Sequence, residues 1–270
     1  MNQALRAAKI TTDNPQLIKK ILSETGKMIQ DIPLENTPPQ TGRLIYQKIS
    51  EITGVTDPYA EIKQQNIKQV LELYPSLQKQ IRKSADPLRT AVRLAIAGNV
   101  IDLGVNRDFD ILQAIDDILV QEFAIDDYKR FQDELAKAEN ILYLADNSAE
   151  AVFDKLLLEV IDKPVTFAVK EKPIINDATI VEAYQIGIDK MVKVISSGSD
   201  APGTILDLCN EDFLEIFHKA DLIISKGQGN FEGLSSVKAP IFFLLRAKCP
   251  VIAQELQVEI DSIILKAQER

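Results

Sequence analysis

The stretch ILYLADNSAEAVFDKLLLEV, residues 141–160, marks a change in the character of the chain. A short apolar run, Ile141 to Ala145, breaks at Asp146-Asn147, and Val152, Phe153, Leu156 and Leu157 then recur at the spacing of an amphipathic helix. Similar units follow. PVTFAVK (164–170) leads to Asn176-Asp177 and a helix near Ile180 to Ile186, and MVKVISS (191–197) leads to GSDAPG and a helix beginning near Thr204. ADLIISK (220–226) leads to GQGNFEGL, and APIFFLL (239–245) leads to RAKCP. Short β-rich runs alternating with helical stretches predict an α/β sheet with substantial parallel character. Ligands of such sheets bind beyond the carboxyl ends of the strands, where each of these polar clusters sits.

Upstream, the pattern to about Asn140 is helical: Leu17, Ile18, Ile21 and Leu22, then Ile67, Val70, Leu71 and Leu73, recur at helix-face spacing. Turn-like mixtures of Pro, Gly, Asp and Asn near residues 32–42, 54–58 and 84–87 divide this part into roughly six helices. The expected division is a helical bundle over 1–139, forming a wall of the site, and an α/β domain over 140–270 that binds metal and phosphate. One helix, from about Leu88 to Ala97, ends at Gly98 as at a C-terminal stop. Asn99 and Asp102 follow it, three residues apart and able to face the rim from one side. Asp116-Asp117 and Asp126-Asp127 read as solvated helix faces.

Composition narrows the chemistry. The 270 residues carry 31 Lys and Arg against 40 Asp and Glu, for a net charge of −9, with 46% hydrophobic residues, one His and two Cys. An acidic chain of normal hydrophobic content argues for a globular protein and against nucleic acid as partner. Cys209 and Cys249 supply neither a disulfide framework nor a thiolate zinc site, and His218 alone cannot build an imidazole site. A reducing, cytoplasmic setting is the expectation, and no stretch reaches the ~18 apolar residues of a membrane span. A metal here needs oxygen ligands, which favours Mg²⁺ or Mn²⁺.

Asp146, Asn147 and Asp177, at consecutive strand ends, suit such a site; helix capping is the alternative for residues of this type before a helix. Lys226, Gly227 and Asn230 in KGQGN suit an anion, the glycines allowing close approach of backbone N–H groups, with a plain glycine turn as the alternative. Arg246 and Lys248 flank Ala247 after the apolar IFFLL, where cations can hold a phosphate or simply face solvent.

Taken together, LAIAGNVIDLG, LADNSAEAVFDKLLLE, PIINDATI, SGSDAPG, DLIISKGQGNFEGL and FFLLRAKCP resemble the metal-dependent damage-control phosphatase family over about Asp86 to Leu265. The resemblance implies an α/β/α Rossmann-like sandwich with an N-terminal helical bundle. It implies a divalent metal (Mn, Co, Ni or Mg) on Asp146, Asn147 and Asp177, and a phosphate held by Lys226, Gly227, Asn230 and Lys248; Asn99 and Asp102 join the expected substrate site from their own spacing at the helix end, where a capped helix end is the alternative. The chain departs from its nearest pattern in lacking a paired-cysteine leader and in reading RAK at 246–248 in place of Arg-Thr-x-Lys.

The implied reaction is hydrolysis of a phosphate monoester of a small metabolite, such as a sugar phosphate or a damaged phosphometabolite. Attack by metal-activated water is the expected route, ahead of an aspartyl-phosphate formed on Asp146. Two other functions compete: a phosphometabolite-binding protein without catalysis, and an S-adenosylmethionine-dependent carboxyl methyltransferase. The latter lacks a glycine-rich first loop, because the first run ends in Asp146-Asn147.

Overall fold

In the computed structural model, which describes residues 1–98 and 111–269, the chain opens with α1 (Asn2–Thr11), α2 (Pro15–Ile29) and α3 (Pro38–Thr53). These three helices bury their apolar stripes on one another: Ala4, Ala7, Ala8, Ile21, Ile45 and Ile49 form a small separate core. Asn14 caps α2, and Thr37 with Gln40 forms a capping box on α3. Next come α4 (Ala60–Lys83), α5 (Pro87–Ala97) and α6 (Ile111–Val120).

The alternating part runs β1 (Phe123–Asp126), α7 (Tyr128–Lys137), β2 (Ile141–Leu144), α8 (Glu150–Ile161), β3 (Val165–Val169), α9 (Ile180–Ile186) and β4 (Lys193–Ser196). It continues through α10 (Glu211–Lys219), β5 (Leu222–Lys226), α11 (Gly227–Leu234), β6 (Ile241–Arg246), α12 (Pro250–Leu256) and β7 (Ile263–Ala267). The seven strands form one sheet in the order β1-β7-β6-β5-β2-β3-β4. Strands β2 to β6 are mutually parallel, whereas β7 is antiparallel to β6 and carries β1 beside it. Side chains alternate between two apolar layers: Tyr143, Phe167 and Ile224 belong to the layer with α8, and Leu142, Ala168 and Ile223 to the layer with α10, α11 and α12. Burial on both faces explains why these strands read as continuous apolar runs. The result is the α/β sandwich expected, with the N-terminal helices as a further layer.

Three expectations change. The region before Asn140 is not helical throughout, because Phe123–Asp126 enters the sheet against β7. Asp126-Asp127 is consequently no helix face: Asp126 pairs with Arg89, and Asp127 accepts a hydrogen bond from Ala267 N at 2.7 Å. The helix expected from Thr204 is a short 3₁₀ turn at Leu206–Leu208, and the α-helix starts at Glu211 behind an Asn210 cap. Gly98 does follow the last residue of α5, but in ordinary right-handed conformation. Its missing side chain matters for contact, since a Cβ there would lie 3.0 Å from Phe153 and 3.2 Å from the Glu150 backbone.

The chain order sets the place of the site. From β2 it proceeds outward to β3 and β4, then returns to β5 on the other side of β2. The sheet therefore reverses direction between β2 and β5, and a crevice forms beyond the carboxyl ends of these strands.

Candidate active site

Asp146 and Asn147 leave the end of β2 at that crevice. The Ala178 N–H donates to Asp146 O at 2.8 Å, and both the N–H and the hydroxyl of Ser148 donate to Asn176 O, at 2.8 and 2.7 Å. Asn147 and Asp177 pair as an isolated antiparallel bridge, which brings together residues 30 positions apart in sequence. Helix capping does not account for them. Helix α8 starts at an Ala149 cap with no side-chain bond, and α9 is capped by Thr179 and Glu182.

The surroundings are densely charged for a buried place. Glu150 and Asp154, one turn apart on α8, are 2% and 0% exposed, and Asp177 is 3% exposed. Lys226 is wholly buried, with its ammonium 2.7 Å from Asp154 and 3.4 Å from Glu150. Lys170, just beyond β3, is also buried, and its ammonium lies 3.8 Å from Asp177 Oδ2. Burial, reinforced by Glu150, pushes the Asp146 carboxyl up to about 7. Burial likewise raises Asp177 well above the usual carboxylate range, with Asp146 and Glu150 adding to the effect. Asp154 is raised to about 6 by burial despite Lys226. Burial alone would depress Lys226, but Asp154 and Glu150 hold its ammonium above the ordinary lysine value.

These residues fit a divalent cation on their own chemistry. Four carboxylates, of Asp146, Glu150, Asp154 and Asp177, face two buried ammonium groups, and Asp177 Oδ2 is buried without a hydrogen-bond partner. An unpaired buried carboxylate oxygen is costly unless a cation or proton meets it. The Asn147 amide nitrogen donates to Glu150, so its carbonyl oxygen is the atom that could meet a cation. Among the described residues no three His, Cys, Asp or Glu side chains group as metal ligands, so a cation here would take two carboxylates and a carboxamide.

The KGQGN segment divides into separate tasks. Gly227 begins α11 at φ 77°, and a Cβ on it would lie 1.8 Å from Asp146 Oδ2. Only glycine lets the helix start this close to the carboxylate. Lys226 turns into the α8 layer, where acids hold it. Asn230, expected at the substrate, is fully buried and engaged with protein: it accepts from Thr204 and donates to Ala145 O and Lys226 O. It joins the end of β2, the first turn of α11 and the 203–204 loop, and no ligand contact is needed to explain it. The small residues of GSDAPG likewise serve protein contacts, since a Cβ on Gly203 would lie 2.3 Å from Gly229 O.

Lys248 is exposed at the rim and takes a backbone bond to Gln228, while Arg246 is drawn away to Asp261 at 2.9 Å. Asn99 and Asp102 lie outside the described residues. His218 packs against Phe217 in the last turn of α10, and burial pushes the Cys209 thiol up to about 11. A cavity of about 470 Å³ opens beside Asn147, Asn176 and Lys248, its far wall formed by Arg6, Tyr46, Tyr59 and Asn66 from α1, α3 and the start of α4. A larger cavity of about 980 Å³ lies at the opposite ends of β2, β3 and β4. It is the poorer candidate, because its Lys163 ammonium is spent on the last carbonyls of α7 and, among the described residues, no buried acid pair faces it.

A family model for the damage-control phosphatase ARMT1-like domain matches residues 1–264. The chain belongs to this family. It is 37% identical to the damage-control phosphatase PH1575 of Pyrococcus horikoshii over 270 residues, covering 97% of this chain and 93% of the relative. It is 34% identical to a damage-control phosphatase of Archaeoglobus fulgidus over 275 residues, covering 97% and 94%. The crystal structure of a DUF89-family protein from P. horikoshii superposes with a TM-score of 0.90 at 36% identity, covering 99% of this chain and 95% of that one.

Membership makes this chain a phosphatase, and it places the helices of residues 1–83 inside the family domain. In this damage-control phosphatase the buried charges Glu150, Asp154 and Lys170 escape sequence reading. The available signal was weak but present: Asp154 interrupts the apolar AVFDKLLLEV, and Lys170 ends an apolar strand as Lys226 does.

Proposed function

We propose that this phosphatase depends on a divalent cation, Mn²⁺, Co²⁺, Ni²⁺ or Mg²⁺, and hydrolyses phosphate monoesters of small metabolites. The observation that carries the reading is the pairing of Asn147 with Asp177 beside Asp146, with Asp177 Oδ2 buried, without a hydrogen-bond partner and no closer than 3.8 Å to the Lys170 ammonium. Asp146, Asn147 and Asp177 would hold the cation. When bound it supplies a Lewis acid for a phosphoryl oxygen and lowers the pKa of water.

The chain does the rest. The first turn of α11 begins against Asp146 and directs the positive end of its dipole, with N–H groups not used inside the helix, at the phosphoryl site. Lys226 offsets Glu150 and Asp154 beneath the site and so holds the α8 acids in place. Lys248, exposed at the cavity mouth, attracts an anion into an otherwise acidic molecule. The cavity wall of Arg6, Tyr46, Tyr59 and Asn66 offers polar groups to the organic part of the substrate, which suits a small, hydroxyl-rich metabolite.

The test is release of phosphate from an aryl phosphate by metal-stripped protein, with each cation added in turn. Release is expected only with cation, and Asp177→Ala is expected to lower kcat/KM by roughly 10³-fold. Full turnover by Asp177→Ala in excess chelator would overturn the cation assignment. Stabilisation by phosphate esters with no phosphate released would make the chain a binding protein.

A further inference from the structure

The charges at the rim are not equally matched. Lys63 and Lys226 are buried and each has a carboxylate within 2.7 Å. Lys170 is only 3% exposed, yet among the described residues its nearest carboxylate oxygen is Asp177 Oδ2 at 3.8 Å, beyond hydrogen-bonding distance. Burying an ammonium costs several kcal/mol unless short partners meet it. The backbone fixes Lys170 firmly: its N–H donates to Ala178 O at 2.9 Å, and it bridges to Thr179, the cap of α9. The side chain is therefore held in place while its charge is left short of partners.

Direction matters too. Ala168 belongs to the layer of α10 to α12, and the pleat carries Lys170 to that same side. Lys226 instead meets Asp154 and Glu150 on α8, in the opposite layer. Two buried lysines thus flank Asp146 and Asp177 from the two faces of the sheet, and the partners of only one are complete.

We propose that Lys170 is a catalytic residue, its ammonium donating to a non-bridging oxygen of the phosphoryl group. The phosphate dianion is the short partner this lysine lacks. The inference rests on the phosphatase site described above, but not on which cation fills it. It has a second consequence: Lys170 repels a cation held by Asp177, so it favours turnover while opposing metal affinity.

The experiment compares the parent, Lys170→Met and Lys170→Arg for kcat/KM on an aryl phosphate, Mn²⁺ affinity by calorimetry, and inhibition by orthophosphate. For Lys170→Met the expected result is a fall in kcat/KM of roughly 10²-fold or more and weaker orthophosphate inhibition, with Mn²⁺ bound as tightly as by the parent or more tightly. Lys170→Arg keeps the charge but alters its reach, and is expected to recover orthophosphate inhibition with only part of the turnover. It also carries the test if Lys170→Met does not fold. Turnover of Lys170→Met within threefold of the parent would overturn the inference, as would a loss of turnover matched by loss of Mn²⁺ binding, which marks a merely structural role. A parent that turns over with chelator present and binds no Mn²⁺ would end the cation reading alone, because the orthophosphate arm still reports on Lys170.

Discussion

Gly227 shows how one residue can set a site. Its φ of 77° and its contact with Asp146 leave no room for a side chain. Gly227→Ala combines a left-handed backbone cost of about 1–2 kcal/mol with displacement of the Asp146 carboxylate. It is expected to lower kcat by more than ~10²-fold, with a change in unfolding midpoint too small to explain that loss; activity and thermal unfolding measured together check this. The neighbouring residues show what sequence could and could not convey. Asp146, Asn147 and Asp177 were legible because polar residues ended apolar runs in succession, and the structure brings all three together. Asn230 was not legible as a link within the protein, since a carboxamide in a glycine loop looks the same whether it faces a ligand or ties Thr204 to Ala145, as the hydrogen bonds of this one do. Glu150 and Asp154 were missed because acids on a helix are ordinarily solvated, and only the packing of α8 buries both.

Between elements, two ion-pair clamps hold the helical layer to the sheet. Lys63 on α4 is 1% exposed and meets Asp57 at 2.7 Å and Glu182 at 2.6 Å, the latter being half of the α9 capping box next to Asp177. Lys63→Met would strand two acids and is expected to cost about 3–5 kcal/mol in urea unfolding, with part of the loss recovered by adding Glu182→Gln. The second clamp joins α3 to the loop after β4 through Asp200, which pairs with Arg43 and accepts from Gln47 at 3.0 Å. Burial alone would raise Asp200, but Arg43 and Gln47 hold its carboxyl below the usual range. Its contribution is therefore complete above the unfolded value of about 4 and is lost as the pH falls through the lower folded value. The protection of α3 amides, taken relative to intrinsic exchange at each pH, is expected to fall over that acid window, and Asp200→Asn to remove this fall. Strands β2, β3, β5 and β6 were readable as elements because double burial makes them apolar runs, and β4, half-exposed at the sheet edge, was readable from its β-branched Val194 and Ile195 before the GSDAPG turn. Strands β1 and β7 were not: β1 has one fully buried residue in four and lies between helical stretches, and β7 is followed by no further strand-and-helix unit that would mark it as part of the alternating series.

Over the whole molecule, the proposed cation ligands come from residues 146–177, with Gly227 against Asp146, while the facing wall comes from the first 66 residues, so the proposed site needs both to be docked. A cation that binds the folded chain alone stabilises it by mass action, by about 2.7 kcal/mol at a hundredfold excess over Kd. Saturating Mn²⁺ is expected to raise the unfolding midpoint of the parent and leave that of Asp177→Ala unmoved. No shift in the parent would contradict the cation assignment. The α/β class was legible at this scale and the boundary near residue 140 was less so, because β1 completes a sheet whose other strands all lie later in the chain. Among the described residues no helix is long and apolar enough to cross a membrane.

The bridge between Asn147 and Asp177 has a thermodynamic corollary. Two candidate ligands from distant loops are already joined by backbone pairing, so the conformational entropy of bringing them together is lost during folding rather than on capture of the ion. Cation binding is then expected to show a favourable entropy from released hydration water, with little offset from loop ordering. Breaking the bridge with a proline at Asn147 or Asp177 would itself remove a ligand. The informative substitution is therefore Ser148→Ala, which removes the hydroxyl bond to Asn176 O, keeps the two backbone bonds and moves part of the ordering cost back to the binding step.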